Sequence, residues 1–184
     1  YNYKEKYLLE LNGRYDGTSR FLKDVRYKFY PGASAAWVMS KEDFWKPVEE
    51  YVNTFKLRVS YGSLGDQGFI DSYYPFHPSM STTAPSGSQW IFADGRQAYV
   101  SYPGLVNPNL TWVTTSTIDF GVDMTFLNNR LNATFDWYKR SSKDFVGPAE
   151  ILPSIIGIDS PQMNNSAMNT KGFDLSVSWR DRIG

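Results

Sequence analysis

Ile118-Asp119-Phe120-Gly121-Val122-Asp123-Met124-Thr125-Phe126 runs into Leu127-Asn128-Asn129-Arg130 and out again through Leu131-Asn132-Ala133-Thr134-Phe135-Asp136-Trp137-Tyr138. In each arm the apolar residues take every second position: Ile118, Phe120, Val122, Met124 and Phe126, then Leu131, Ala133, Phe135 and Trp137. A period of two predicts a strand with one face against something apolar, because successive side chains leave a strand on opposite sides. Asn128-Asn129 between the arms is a tight hairpin signal, since asparagine tolerates the left-handed backbone of a short turn.

The same alternation recurs on both sides of this hairpin. Upstream, Tyr7, Leu9, Leu11, Gly13 and Tyr15 oppose Leu8, Glu10, Asn12, Arg14 and Asp16. Next, Phe29, Pro31, Ala33, Ala35 and Trp37 oppose Tyr30, Gly32, Ser34, Ala36 and Val38, with Pro31 weakening the start of that strand. Phe55, Leu57, Val59 and Tyr61 then oppose Lys56, Arg58, Ser60 and Gly62, and downstream Phe173, Leu175, Val177 and Trp179 oppose Asp174, Ser176, Ser178 and Arg180. Ser40, as an N-cap ahead of Glu42 and Asp43, predicts a short connecting helix over Glu42 to Tyr51, interrupted at Pro47. From Gly65 to about Leu110, and again from Asp144 to Thr170, the periodicity fails and long loops are expected.

Composition narrows the class. The 184 residues carry 19 Lys+Arg against 19 Asp+Glu, so there is no charge excess to drive nucleic-acid binding, and 41% hydrophobic content excludes strong disorder. No run of apolar residues is long enough for a membrane-spanning helix, which leaves barrels untouched. Cysteine is absent, which removes disulfides, thiolate metal sites and thiol nucleophiles. The first residues, Tyr1-Asn2-Tyr3-Lys4, lack the charged and apolar regions of a signal peptide. Aromatic residues reach 17%, a bias shared by strands, sugar-binding surfaces and membrane interfaces.

Alternation alone fits either a soluble β-sandwich or a membrane barrel, and by itself favours the sandwich. Three features tilt the reading to the barrel. The strands read as about nine to ten residues, enough to cross a bilayer at a tilt. Aromatics mark the ends of the apolar faces: Tyr7 and Tyr15, Phe55 and Tyr61, Phe173 and Trp179, with Trp37 and Trp137. Connections alternate between short and long, as they do between the two sides of an outer membrane.

Several strings then carry a specific resemblance. Tyr7-Leu8-Leu9-Glu10 with Arg14-Tyr15-Asp16-Gly17-Thr18-Ser19-Arg20-Phe21, Leu57-Arg58-Val59-Ser60-Tyr61-Gly62-Ser63-Leu64-Gly65-Asp66-Gln67 and Asn107-Pro108-Asn109-Leu110-Thr111-Trp112 resemble the SusC/RagA family of TonB-linked outer-membrane transporters of Bacteroidota. So do Phe29-Tyr30-Pro31, Ala35-Ala36-Trp37, Phe44-Trp45, Phe126-Leu127-Asn128-Asn129-Arg130-Leu131, Asp136-Trp137-Tyr138, Lys143-Asp144 and Asn169-Thr170-Lys171-Gly172-Phe173-Asp174-Leu175-Ser176. Thr111 and Val113 depart from the family wording, the latter where the family has an acidic residue. The loop from Phe69 to about Val106 lies outside the resemblance.

The resemblance implies an all-β, antiparallel up-and-down architecture in which this chain forms about six strands of a barrel of about 22, too many for 184 residues to build alone. Residues 1–184 are then a partial TonB-dependent receptor β-barrel domain, without plug, signal peptide or the remaining strands. The implied activity is import of an oligosaccharide or peptide across the outer membrane, with a SusD-like surface lipoprotein and with TonB acting through a segment outside this chain. It implies no enzyme and no cofactor. The first, third and fifth strands would run outward, placing the long loops outside and Asn128-Asn129 at the inner side.

Candidate chemistry is sparse. His77 is the only histidine and has no second ligand at metal spacing. Asp119, Asp123 and Asp136 share a polar face, where a hydrated lumen explains them better than acid–base catalysis. Gly62-Ser63-Leu64-Gly65 lacks nucleophile-elbow spacing. The loop aromatics Tyr73, Tyr74, Trp90, Phe92 and Tyr99 are the candidate substrate-binding residues, able to stack on sugars or pack against a partner. The competing readings are a soluble β-sandwich carbohydrate-binding module, whose core would enclose Leu9, Val59, Phe120 and Val177, and an all-β glycan-cleaving enzyme.

Overall fold

The computed structural model describes residues 1–70, 72–87, 91–147 and 150–181. Six long strands dominate it: β1 (Tyr7–Gly17), β2 (Tyr27–Val38), β3 (Val52–Asp66), β4 (Val113–Phe126), β5 (Leu131–Val146) and β6 (Asn164–Trp179). They form one sheet in chain order, every neighbour antiparallel, with the two-residue strand Asn2–Tyr3 added beside the start of β1. This is an up-and-down meander, the connectivity of a barrel wall.

The register keeps the alternation of all six strands in phase. Trp37 pairs with Leu57, Leu57 with Val122, Val122 with Phe135 and Phe135 with Leu175, so the apolar residues form continuous rows across the sheet. Leu9, Val59, Phe120 and Val177 are 45%, 39%, 50% and 61% exposed, so no protein core covers that face. Among the described residues the other strands are two short pairings inside the long loop, Thr82–Thr83 with Tyr99–Val100 and Ile91–Phe92 with Gly95–Arg96, and no second sheet exists to make a sandwich.

The strands run 11 to 16 residues, longer than the nine or ten expected. Backbone pairing needs no amphipathic side chains, so the ladders continue through polar extensions such as Ser63–Asp66 and Lys139–Val146, where periodicity gives no signal. The second irregular stretch shrinks accordingly, to 147–163, while the first, 67–112, keeps its expected length and shifts by two residues. β2 runs straight through Pro31, which lies one residue beyond the last β2–β3 pair, Gly32 with Gly62. There β2 has a neighbour on one side only, the edge setting in which proline is tolerated.

The hairpin turn is four residues, 127–130, and its Leu127, Asn128 and Asn129 all take left-handed backbone, with φ of 55°, 55° and 64°. Asn53 accepts from the Asn129 N–H at 3.1 Å, tying the turn to the start of β3.

The connector between β2 and β3 is not the expected helix over 42–51. It forms two 3-10 turns, Met39–Lys41 and Asp43–Trp45, with no side-chain cap on either. Glu42 is engaged elsewhere: it accepts from Lys6 Nζ at 2.9 Å, the Tyr7 hydroxyl at 2.8 Å and Trp37 Nε1 at 3.3 Å. Tyr7 and Trp37 stack with centroids 6.3 Å apart, so one carboxylate ties the polar tips of an aromatic rim to the turn below it.

At the opposite end β2 and β3 part above Gly62, and the one compact core among the described residues lies there. It gathers Phe21, Tyr30, Ile70, Leu110, Trp112 and Val113, each at most 4% exposed. Trp112 meets Phe21 at 5.3 Å and Tyr30 edge-on at 6.1 Å, while its Nε1 donates to the Val25 carbonyl at 3.1 Å. The Tyr30 hydroxyl ends directly over Gly65, where a Cβ would collide with it.

Two outcomes are expected, both read as thermal unfolding of the full-length protein. Gly65→Ala forces Tyr30 off Trp112 and costs roughly 1–3 kcal/mol, whereas Gly62→Ala, with open space at its Cβ, is near neutral. The bonds from Lys6, Tyr7 and Trp37 hold the Glu42 carboxyl below its ordinary range. Its contribution is therefore fully present above the ordinary carboxylate pKa and is lost as pH falls through the lowered folded value. Glu42→Gln should flatten the acid limb of the pH–stability curve.

Candidate functional site

The polar face of the sheet is built on Arg58. It lies on β3 opposite Gly121 of β4, which in turn pairs with Asp136 of β5. Gly121 leaves the space that this requires: a Cβ there would come within 2.7 Å of the Arg58 guanidinium and would also strike Asp136. Arg58 therefore reaches across β4, donating from Nε to Asp123 at 2.7 Å and from Nη2 to Asp123 at 3.0 Å and Asp136 at 2.8 Å. One guanidinium binds two carboxylates on two strands, using the fork geometry that arginine offers and lysine lacks. It also offsets the repulsion between Asp136 and its direct partner on β6, Asp174.

In this arrangement Asp123 and Asp136 share one cation. Among the described residues no group of three or more His, Cys, Asp or Glu side chains could hold a metal. His77 packs in the loop against Phe76 at 4.6 Å and Tyr74 at 6.2 Å.

The four loop aromatics among the described residues do not form one site. Tyr73 is 71% exposed and lies under the Arg20 guanidinium, 5.5 Å from its ring centroid. Phe92 is exposed on its own two-residue strand, and Trp90 falls outside the described residues. Tyr74 and Tyr99 are brought closer. Tyr74 lines a cleft of about 260 Å³ with His77, Leu105, Asn107 and Gln162. Tyr99 lines an adjoining one of about 660 Å³ with Tyr102, Leu105 and Asp159. Gly104 and Leu105 belong to both.

Two asparagines that periodicity could not single out tie the loops together, and one of them, Asn107, lines the smaller cleft. Asn164 mimics a peptide group: its amide donates to the carbonyls of Thr111 at 3.1 Å and Asp144 at 2.6 Å and its oxygen accepts from Thr111 N–H at 3.0 Å. Asn107 donates to the Gln162 carbonyl at 3.0 Å, joining the two long loops. Arg58 was readable as a polar-face residue, but its pairing across β4 depends on the register of three strands.

A single meander sheet with a bare apolar face, aromatic rims, a charged opposite face and long loops at one end is a section of transmembrane β-barrel wall. The family model described as TonB dependent receptor-like, beta-barrel matches residues 1–184, and the chain belongs to that family. TonB-dependent receptor P26 of Formosa agariphila is 36% identical over 97% of this chain, and TonB-dependent receptor SusC of Bacteroides thetaiotaomicron is 33% identical over 97%. The chain spans 17% of the length of each of these relatives. Solved structures of the RagAB peptide importer share the fold. In its closed-closed state the TM-score is 0.78 at 22% identity, over 98% of this chain and 18% of that one. In its open-open state the TM-score is 0.74 at 23% identity, over 94% and 18%.

Arg58→Met should leave Asp123 and Asp136 facing each other and Asp174 without a cation. The expected loss is about 1–2 kcal/mol, moderated because the group is partly hydrated, and it should be read as a lower unfolding midpoint. Simultaneous Asp123→Asn and Asp136→Asn should recover part of it.

Proposed function

We propose that this chain supplies six wall strands and outer loops to a TonB-dependent importer of oligosaccharides or peptides in the outer membrane. Residues 1–184 are, in this reading, a partial barrel domain, the remaining strands and the plug being contributed by other parts of the protein. The long loops carry the contacts to substrate, with Tyr73, Tyr74, Trp90, Phe92 and Tyr99 as candidates, and face a SusD-like lipoprotein. TonB engages a segment elsewhere in the protein. The Arg58 network belongs to the hydrated lumen, and no catalytic step is assigned to it.

The observation that carries this reading is the bare apolar face, bounded by Tyr7 and Trp37 at one end and by the stacked Tyr15 and Tyr27 at the other, 5.6 Å apart. Water would penalise such a face heavily, whereas lipid is its natural solvent. The relatives named above are TonB-dependent receptors, and the structural neighbour is a peptide importer. The soluble sandwich module has no second sheet to support it among the described residues.

The test is a charge placed on each face of the full-length protein folded into lipid. Val122→Arg or Leu175→Arg should cost roughly 2–4 kcal/mol at mid-bilayer, and Ser176→Arg much less. Equal tolerance on both faces would overturn the lipid-facing assignment.

A further inference from the structure

The apolar face has an uneven upper rim. Eight residues separate the lower from the upper aromatic on β1, Tyr7 to Tyr15, and on β2, Trp37 to Phe29. That is roughly 26 Å of strand. The same eight-residue step from Leu131 on β5 reaches Lys139, and from Trp179 on β6 it reaches Lys171. Lys139 and Lys171 are direct cross-strand partners, both exposed and on the apolar side, two residues above the Trp137–Phe173 pair.

Like charges placed opposite each other destabilise a sheet unless something neutralises them. Among the described residues neither lysine forms an ion pair or a side-chain hydrogen bond. Lys143, four residues further along the same face of β5, is exposed as well. These three are the only charged residues on that face of the six strands, and no carboxylate accompanies them. By contrast the polar face mixes both signs, with Arg58 held between two aspartates. A single-sign cluster where the apolar band ends calls for an anion at that depth.

We propose that Lys139 and Lys171, with Lys143 above them, bind the phosphate of an outer-leaflet lipid headgroup. Lysine stems lie along acyl chains while their ammonium groups reach the interface, so an aromatic rim can be replaced by a cationic one at the same height. The proposal rests on the barrel orientation given under Proposed function, with the long loops outside.

The test uses the full-length protein in detergent, titrated with phosphorylated and with dephosphorylated lipid A and followed by native mass spectrometry. Phosphorylated lipid A should bind at least about tenfold more weakly to K139Q/K171Q. K139R/K171R and the polar-face variant R140Q should bind as wild type does. Equal binding by K139Q/K171Q, equal binding of dephosphorylated lipid A, or full displacement by millimolar inorganic phosphate would each overturn the proposal. Heat-modifiable migration reports whether the wild type forms a barrel. Its absence overturns the membrane reading and the lysine site together, whereas a well-formed barrel indifferent to phosphate overturns the lysine site alone.

Discussion

Everything in this molecule depends on the pairing of β3 with β4 in a single unbroken register from Thr54–Thr125 to Asp66–Val113. A slip of one residue would turn Lys56 and Arg58 to the apolar side and Leu57 and Val59 to the polar one. The hydrophobic pattern opposes that slip, and so does Arg58, whose two carboxylates lie on β4 and β5 and are reachable in one register only. Gly121 is the third member of this lock, because its missing side chain is the channel through which the guanidinium passes. Local alternation, strand register and lumen charge therefore support one another, as expected of a consistently specified sheet.

Much of this was legible in the sequence. All six strands and their facing followed from period-two alternation, since a half-buried strand must write its environment into every second residue. The ends were not legible. The polar extensions of β3 and β5 are held by backbone pairing, which leaves no mark on side-chain type. Ser40 and Asp43 spelled a helix start, but three donors from Lys6, Tyr7 and Trp37 hold the Glu42 carboxylate between them, and tertiary contacts overrode the local signal.

The loop aromatics show the same limit. Tyr73, Tyr74, Phe92 and Tyr99 stood out by type, yet type does not say which of them converge. Tyr73 is taken up by Arg20, while Tyr74 and Tyr99 edge adjoining clefts. The residues that tie the loops together, Asn107 and Asn164, act through carbonyls of distant chain segments and have no periodicity to betray them.

The parting of β2 from β3 above Gly62 grades the mechanics of the wall. Below that point the two strands share a backbone ladder, which resists shear and stretch along its whole length. Above it no backbone pair between them remains, and β2 is held through side chains: the Tyr30 hydroxyl over Gly65 of β3, its ring against Trp112, and Lys28 donating to Thr114 of β4 at 2.7 Å. The sheet is therefore stiff where it faces lipid and compliant at its loop-bearing end. Loops on either side of this seam can spread or close by sliding one aromatic edge over another, while the part of the wall that keeps the membrane sealed stays in place.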